Sequence, residues 1–197
     1  HAHPVHAPCY LVVCVRPYSY TLSEEALERG AHFTISSVPR IPPVCIDPTL
    51  KNFNRGDFTR ASFEAYDRGF DKPILLDLQG NVTEGPGFNV FCVVAGRVIT
   101  ASHGVLEGIT RKAVLEICDM MKIKTEVRAV SAQEFRDADE VFLSTTTGGV
   151  MGVSRLDDRI YSNDRPGEIT KELSEAYWRL RAEGFHGEPI GSLAHSA

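Results

Sequence analysis

Four short stations along this 197-residue chain carry residue types that could do chemistry together. Lys51 ends a Pro-rich run, Ile41-Pro-Pro-Val-Cys-Ile-Asp-Pro-Thr-Leu-Lys51; Glu84 sits in Thr83-Glu84-Gly85-Pro86-Gly87-Phe88-Asn89; Gly108-Ile109-Thr110-Arg111 follows; and Ser144-Thr145-Thr146-Thr147-Gly148-Gly149 closes the series. A lysine amine attacks carbonyl carbon and, once displaced, becomes a nearby general base. A carboxylate stabilises a protonated ring nitrogen. A Gly-Ile-Thr segment opening a helix offers free amides, a favourable dipole and a hydroxyl to an anion. Taken one at a time, the plainer readings are a solvated lysine, a rim glutamate at a strand end, an ordinary helix cap and a Thr run of simple β propensity.

The elements that must position these residues follow from periodicity and breakers. Tyr10 to Arg16 is a β-rich apolar run too short for a buried helix and reads as a central strand ending at Pro17. Ser23 caps a short helix from Glu24 to Arg29, closed by Gly30, and His32 to Val38 reads as a second strand. Pro39, Pro42, Pro43 and Pro48 then break regular structure, so Lys51 emerges from a stiff, irregular segment. Gly56 to Arg68 places Phe58, Ala61, Ser62, Ala65 and Tyr66 along one helical face, with Gly69 as terminator.

Lys72–Asp77, Asn81–Glu84, Asn89–Val94 and Arg97–Thr100 read as a β-meander that carries Glu84 near a strand end. Gly108 to Lys122 is an amphipathic helix turning Ile109, Val114, Leu115, Ile117, Cys118 and Met121 inward. A strand from Thr125 to Val130, a short helix from Ser131 and a strand from Glu140 to Ser144 lead into the Thr/Gly loop. After a turn at Asp157-Asp158, a helix from Gly167 to Gly184 contains Trp178.

Composition narrows the function classes. A net charge of −5 with scattered basic residues argues against a nucleic-acid surface, and no apolar run approaches a membrane span. Cys9, Cys14, Cys45, Cys92 and Cys118 are odd in number, lack a CxxC pair and have mostly apolar neighbours, which reads as reduced, buried thiols in a cytoplasmic protein. His1, His3 and His6 are read as tail residues with no metal, because nothing in a terminal segment fixes ligand geometry. The expected division is a tail or linker over 1–8, one unit over 9–184 and a C-terminal tail over 185–197.

An amine for a Schiff base, a carboxylate for a pyridine nitrogen and a cage for a dianionic phosphate are together what pyridoxal 5'-phosphate requires. From Tyr10 to about Arg181 the chain resembles the fold-type IV pyridoxal-phosphate enzymes: branched-chain and D-amino acid aminotransferases, (R)-selective amine transaminases and aminodeoxychorismate lyases. Asp47-Pro-Thr-Leu-Lys51-Asn52, His103-Gly-Val-Leu-Glu-Gly-Ile-Thr-Arg111 and Thr145-Thr-Thr-Gly-Gly149 are most similar to the (R)-amine transaminase versions of the shared motifs.

The resemblance implies an α/β (α+β) cofactor domain with a twisted, mainly antiparallel, barrel-like sheet and flanking helices. It makes Lys51 the Schiff-base and proton-shuttling residue and Glu84 the partner of the pyridine nitrogen. Leu106 would pack on the ring; Gly108, Ile109 and Thr110, with Thr146, would hold the phosphate, and Thr147 would face the substrate. The implied reaction is ping-pong transfer of an amino group from an amine or amino acid to a ketoacid, in a homodimer. A lyase of the aminodeoxychorismate type and a noncatalytic domain are the alternatives.

Three features depart from the resembling enzymes. Those enzymes carry a smaller N-terminal domain before this region, and this chain starts at about the linker. Gly56 stands where branched-chain enzymes place a tyrosine, and Arg55 where amine transaminases tend to carry an aromatic residue. Pro86 replaces a small polar residue after the Glu-Gly pair.

Overall fold

The structure is a computed structural model describing residues 10–15, 17–18 and 21–188. Its elements in chain order are α1 (Glu24–Arg29), β1 (Ala31–Ile35), α2 (Gly56–Asp67), β2 (Lys72–Ile74), β3 (Glu84–Gly85), β4 (Phe88–Val94), β5 (Arg97–Ala101), α3 (Ile109–Met120), β6 (Thr125–Arg128), α4 (Ala132–Asp137), β7 (Glu140–Thr145), β8 (Gly149–Leu156), β9 (Arg159–Ile160) and α5 (Glu168–Ala182). The helix ends obey local chemistry. Ser23 accepts from the Ala26 N–H to cap α1, and Ser131 accepts from the Glu134 N–H to cap α4. At α5 the cap comes from across the fold, because the N-cap residue is Gly167. The buried Glu140 carboxylate accepts from the Ile169 N–H at 3.1 Å, the Thr170 N–H at 2.9 Å and the Thr170 hydroxyl at 2.7 Å.

The strands form one open sheet in the order β2-β1-β8-β7-β4-β5-β6, with β3 paired to β4 and β9 to β8. Pairs β3–β4, β4–β5, β4–β7, β7–β8 and β8–β9 are antiparallel; β1–β2, β1–β8 and β5–β6 are parallel. Strand β4 lies in the middle and is buried on both faces, so its residues serve two cores in alternation. Val90 and Cys92 face a core with Phe33, Ile99, Leu143 and Met151. Phe91 and Val93 face a second core closed by Val114 and Ile117 of α3 and Leu173 and Tyr177 of α5. Phe91 opposes Phe142 across the β4–β7 ladder, the rings stacked at 4.7 Å.

The mixed α/β architecture and the predominance of antiparallel pairing agree with expectation; closure does not, since β2 and β6 remain edges. The expected central strand at Tyr10–Arg16 is not formed over the described residues. Tyr10 to Val15 lie outside the ladders and are exposed, because an apolar run becomes a strand only where an edge accepts it. The meander holds: β2 joins β1 in parallel, and the chain that continues it turns back on 81–84 through the Leu76–Val82 bridge and the bonds from the Leu75 N–H to the Glu84 carbonyl, the Thr83 N–H to the Leu75 carbonyl and the Asp77 N–H to the Asn81 carbonyl. Strand β8 has no counterpart in the sequence pattern: Gly149 and Gly152 interrupt its alternation, and Gly152 is required because a Cβ there would collide with Pro166.

Two residues assigned to inward faces point out. Tyr66 is one position past Ala65 and rotates away from the Phe58, Ala61, Ala65 face, while Ile109 opens α3 beyond the packed core. Cys92 and Cys118 are buried free thiols as expected, but Cys14 and Cys45 are exposed. Both lie in segments without regular structure, where apolar sequence neighbours do not create a core. His1, His3, His6, Cys9 and most of the expected C-terminal tail fall outside the described residues. Among the described residues no helix is long and apolar enough to cross a membrane.

Candidate active site

A cleft of about 350 Å³ opens where the C-terminal end of β7, the β3–β4 turn, the start of α3 and the segment before α2 converge. Lys51, Glu84, Leu106, Gly108, Ile109, Thr110 and Thr146 all line it. The four sequence stations, spread over almost a hundred residues of chain, are thus brought to one concavity of a size suited to a small ligand. Thr147 is the exception. Its hydroxyl lies 2.6 Å from that of Thr21, its carbonyl accepts from the Tyr18 hydroxyl, and it lines a separate cavity of about 410 Å³ beside Trp178.

Glu84 is the electrostatic centre of the cleft. Only 5% exposed, it accepts from the Leu106 N–H at 2.9 Å, the Asn89 amide at 3.3 Å and Arg40 Nη2 at 3.3 Å. Burial pushes its carboxyl above the ordinary carboxylate range, while the Leu106 amide and the Arg40 guanidinium oppose that rise. Arg40 is itself held by Asp57, 2.6 Å from Nη1, and its guanidinium lies 4.2 Å over the Phe58 ring. Helix α2 therefore supports Glu84 through Arg40, which explains why its first turn carries a buried acid.

The loop into α3 is tied to the same carboxylate. The Asn89 amide donates both to Glu84 and to the Leu106 carbonyl at 2.9 Å, and a Cβ on Gly108 would collide with Asn89 Oδ1. Glycine at 108 is thus a steric requirement while Asn89 keeps its place, and no side chain caps the helix N-terminus with a hydrogen bond. Three further buried polar atoms belong to cleft-lining residues and have no hydrogen-bond partner: Arg40 Nε, Arg111 Nε and Ser144 Oγ. Arg111, buried against the Ala101 carbonyl at 3.0 Å, has its guanidinium pKa lowered by that burial. Native interiors satisfy nearly all such groups, so three of them on residues of one cleft set this region apart among the described residues.

Arg40, Asp57, Asn89 and Ser144 are site residues that the sequence did not assign. Asn89 and Ser144 stand inside the quoted stations, but Arg40 and Asp57 are bracketed only by prolines and a helix start, and nothing in their spacing announces an ion pair.

Residues 9–156 match the family described as amino-transferase class IV. A probable branched-chain-amino-acid aminotransferase of Thermotoga maritima is 40% identical over 153 residues, 77% of this chain and 55% of its own length. The branched-chain-amino-acid aminotransferase of Escherichia coli K12 is 30% identical over 181 residues, 90% of this chain and 57% of its own. The solved branched-chain amino acid aminotransferase of Thermobaculum terrenum, in its PLP-form, superposes with a TM-score of 0.77 at 32% identity, over 86% of this chain and 55% of that one. The Escherichia coli structure gives 0.81 at 29% identity, over 90% and 59%. The chain spans about half the length of the curated relatives it matches. With a family match across most of its length and a fold shared with solved members, this chain belongs to the class IV aminotransferases.

Proposed function

We propose that this chain forms the cofactor-binding part of a pyridoxal-phosphate-dependent aminotransferase, with 9–184 as the unit and Lys51 as its covalent anchor. The observation that carries the reading is the convergence of Lys51, Glu84, the α3 N-terminus and Thr146 on one cleft. The residues present fit the cofactor. Ser144, Arg40 and Arg111 supply unpartnered buried polar atoms, Gly108 leaves amides accessible, and Glu84 offers a carboxylate that its neighbours keep in place. When bound, pyridoxal phosphate supplies an electron sink for the bond broken at the substrate carbon.

The chain's own residues divide the remaining work. Lys51 holds the cofactor and, as a free amine, moves the proton between substrate and cofactor carbons. With the cofactor bound, Glu84 would stabilise a proton on the ring nitrogen and Leu106 would pack on the ring face. Ile109 and Thr110 would present helix N-terminal donors to the phosphate, Gly108 clearing their approach while its own N–H is bonded to the Leu106 carbonyl, and the Thr146 hydroxyl would join them.

The substrates in this reading are an amino acid or primary amine as donor and a ketoacid as acceptor, and the assembly is a homodimer. The relatives' names support the amino acid, while the Asp47–Asn52 and His103–Arg111 motifs support the amine. Incubating the chain with pyridoxal phosphate and one donor, and measuring ketoacid or ketone release, tests the reading. Stoichiometric release that Lys51→Ala abolishes is expected; pyruvate release without amino transfer would favour the lyase instead.

A further inference from the structure

Four cationic side chains line the cleft, and three have evident duties. The Lys51 amine is the proposed anchor, Arg40 is matched by Asp57 and Glu84, and Arg111 is buried against the Ala101 carbonyl. Arg55 is different. It is exposed, forms no ion pair with any described residue, and immediately precedes α2, so its backbone is fixed by the helix start. The Arg55 guanidinium lies 5.1 Å over the Phe58 ring, and its Nη2 would be 4.0 Å from a Cβ on Gly87.

Stacking on Phe58 holds the planar guanidinium at the cleft lip while leaving its edge donors free, and a stacked arginine loses less entropy when it binds. Gly87, with φ of 94°, puts no side chain in front of those donors. An uncompensated, pre-positioned guanidinium facing an open lip suits a planar, bidentate anion, which is the geometry of a carboxylate.

We propose that Arg55 is the specificity residue for a substrate carboxylate, making amino acids and ketoacids, rather than neutral amines, the preferred occupants. The proposal rests on the aminotransferase reading for the identity of the substrate, and on the placement of the guanidinium for the carboxylate. An anion could also be the cofactor's phosphate, so the experiment separates the two.

Isothermal titration with 4-methylvalerate and with its neutral primary amide, on the wild-type chain, Arg55→Gln and Arg55→Lys, reads the preference directly. The wild type should bind the carboxylate more tightly than the amide, and Arg55→Gln should lose about tenfold in carboxylate affinity with the amide unchanged. Arg55→Lys should keep part of the preference, since the charge remains and the fork is lost. A wild type without carboxylate preference, or an Arg55→Gln that keeps it, would overturn the proposal. So would a loss confined to pyridoxal phosphate and inorganic phosphate, measured by equilibrium dialysis on the same samples. Failure of the wild type to retain pyridoxal phosphate counts against the aminotransferase reading, whereas the carboxylate preference alone decides the role of Arg55.

Discussion

The backbone N–H of Leu106 donates to Glu84 Oε2 at 2.9 Å, so the cleft's buried acid and the loop that leads into α3 are fixed to one another. Arg40 grips the other carboxylate oxygen at 3.3 Å. With the Asn89 amide also donating to Oε2, Glu84 is aimed by two neutral donors and one cation rather than by its own strand, which is only two residues long.

Removing the cation should expose how much this arrangement costs. Arg40→Met leaves Glu84 and Asp57 buried without their shared partner, and the expected loss is about 3–5 kcal/mol of unfolding free energy. Urea denaturation of both proteins at neutral pH measures it. A loss below about 1 kcal/mol, the scale of a surface pair, would mean that the three groups are not coupled as their distances imply.

Glu84 also gives stability a pH dependence of defined sign. Its folded pKa is raised by burial, so its contribution is fully present below the unfolded value near 4.5 and is lost as pH rises through the folded value. Glu84→Gln carries no such titration. Denaturation across acid and neutral pH should therefore show the wild type declining relative to Glu84→Gln above the ordinary carboxylate range; a difference independent of pH would contradict the burial assigned to this group.

The legibility of the chain divides along the same physical lines. Helices α1 and α4 could be read because Ser23 and Ser131 act through hydrogen bonds only three residues long. The stations at Lys51, Glu84, Gly108 and Thr146 could be picked out as an ordered set through the family resemblance, since each residue alone has a plainer reading, and the fold brings all four to one cleft. Arg40 with Asp57, and Glu140 with α5, could not, since those pairs span 17 and 29–30 positions and depend on topology. Tyr10 to Val15 show the converse: strand propensity is present, and the ladder that would use it is not formed within the described fold.

Glu140 supplies a control far from the cleft chemistry. Glu140→Ala removes the acceptor from two N-terminal amides of α5 and the Thr170 hydroxyl, and should cost about 1–3 kcal/mol. Thermal melting checks the stability. Pyridoxal phosphate retention by the folded fraction should be unchanged, since Glu140 does not line the cleft.

Gly108→Ala tests the steric requirement at the helix start. The new Cβ must displace Asn89, which links Glu84 to the Leu106 carbonyl, and cofactor affinity should fall about tenfold, the equivalent of one charge-assisted hydrogen bond. Equilibrium dialysis with pyridoxal phosphate reads the change.

Cysteine accessibility checks the packing independently. Burial pushes the Cys92 thiol up to about 12 and Cys118 to about 11, so neither should react with maleimide in the folded chain at neutral pH. Cys14 and Cys45 are exposed and should label first. Peptide mapping before and after urea distinguishes the two sets.

The central claim is that Lys51, and no other lysine, is the covalent anchor of the cleft. Borohydride reduction of the chain after incubation with pyridoxal phosphate, followed by peptide mass spectrometry, tests it most directly. The account predicts a pyridoxyl adduct confined to Lys51; label spread over surface lysines, or none at Lys51, would contradict it.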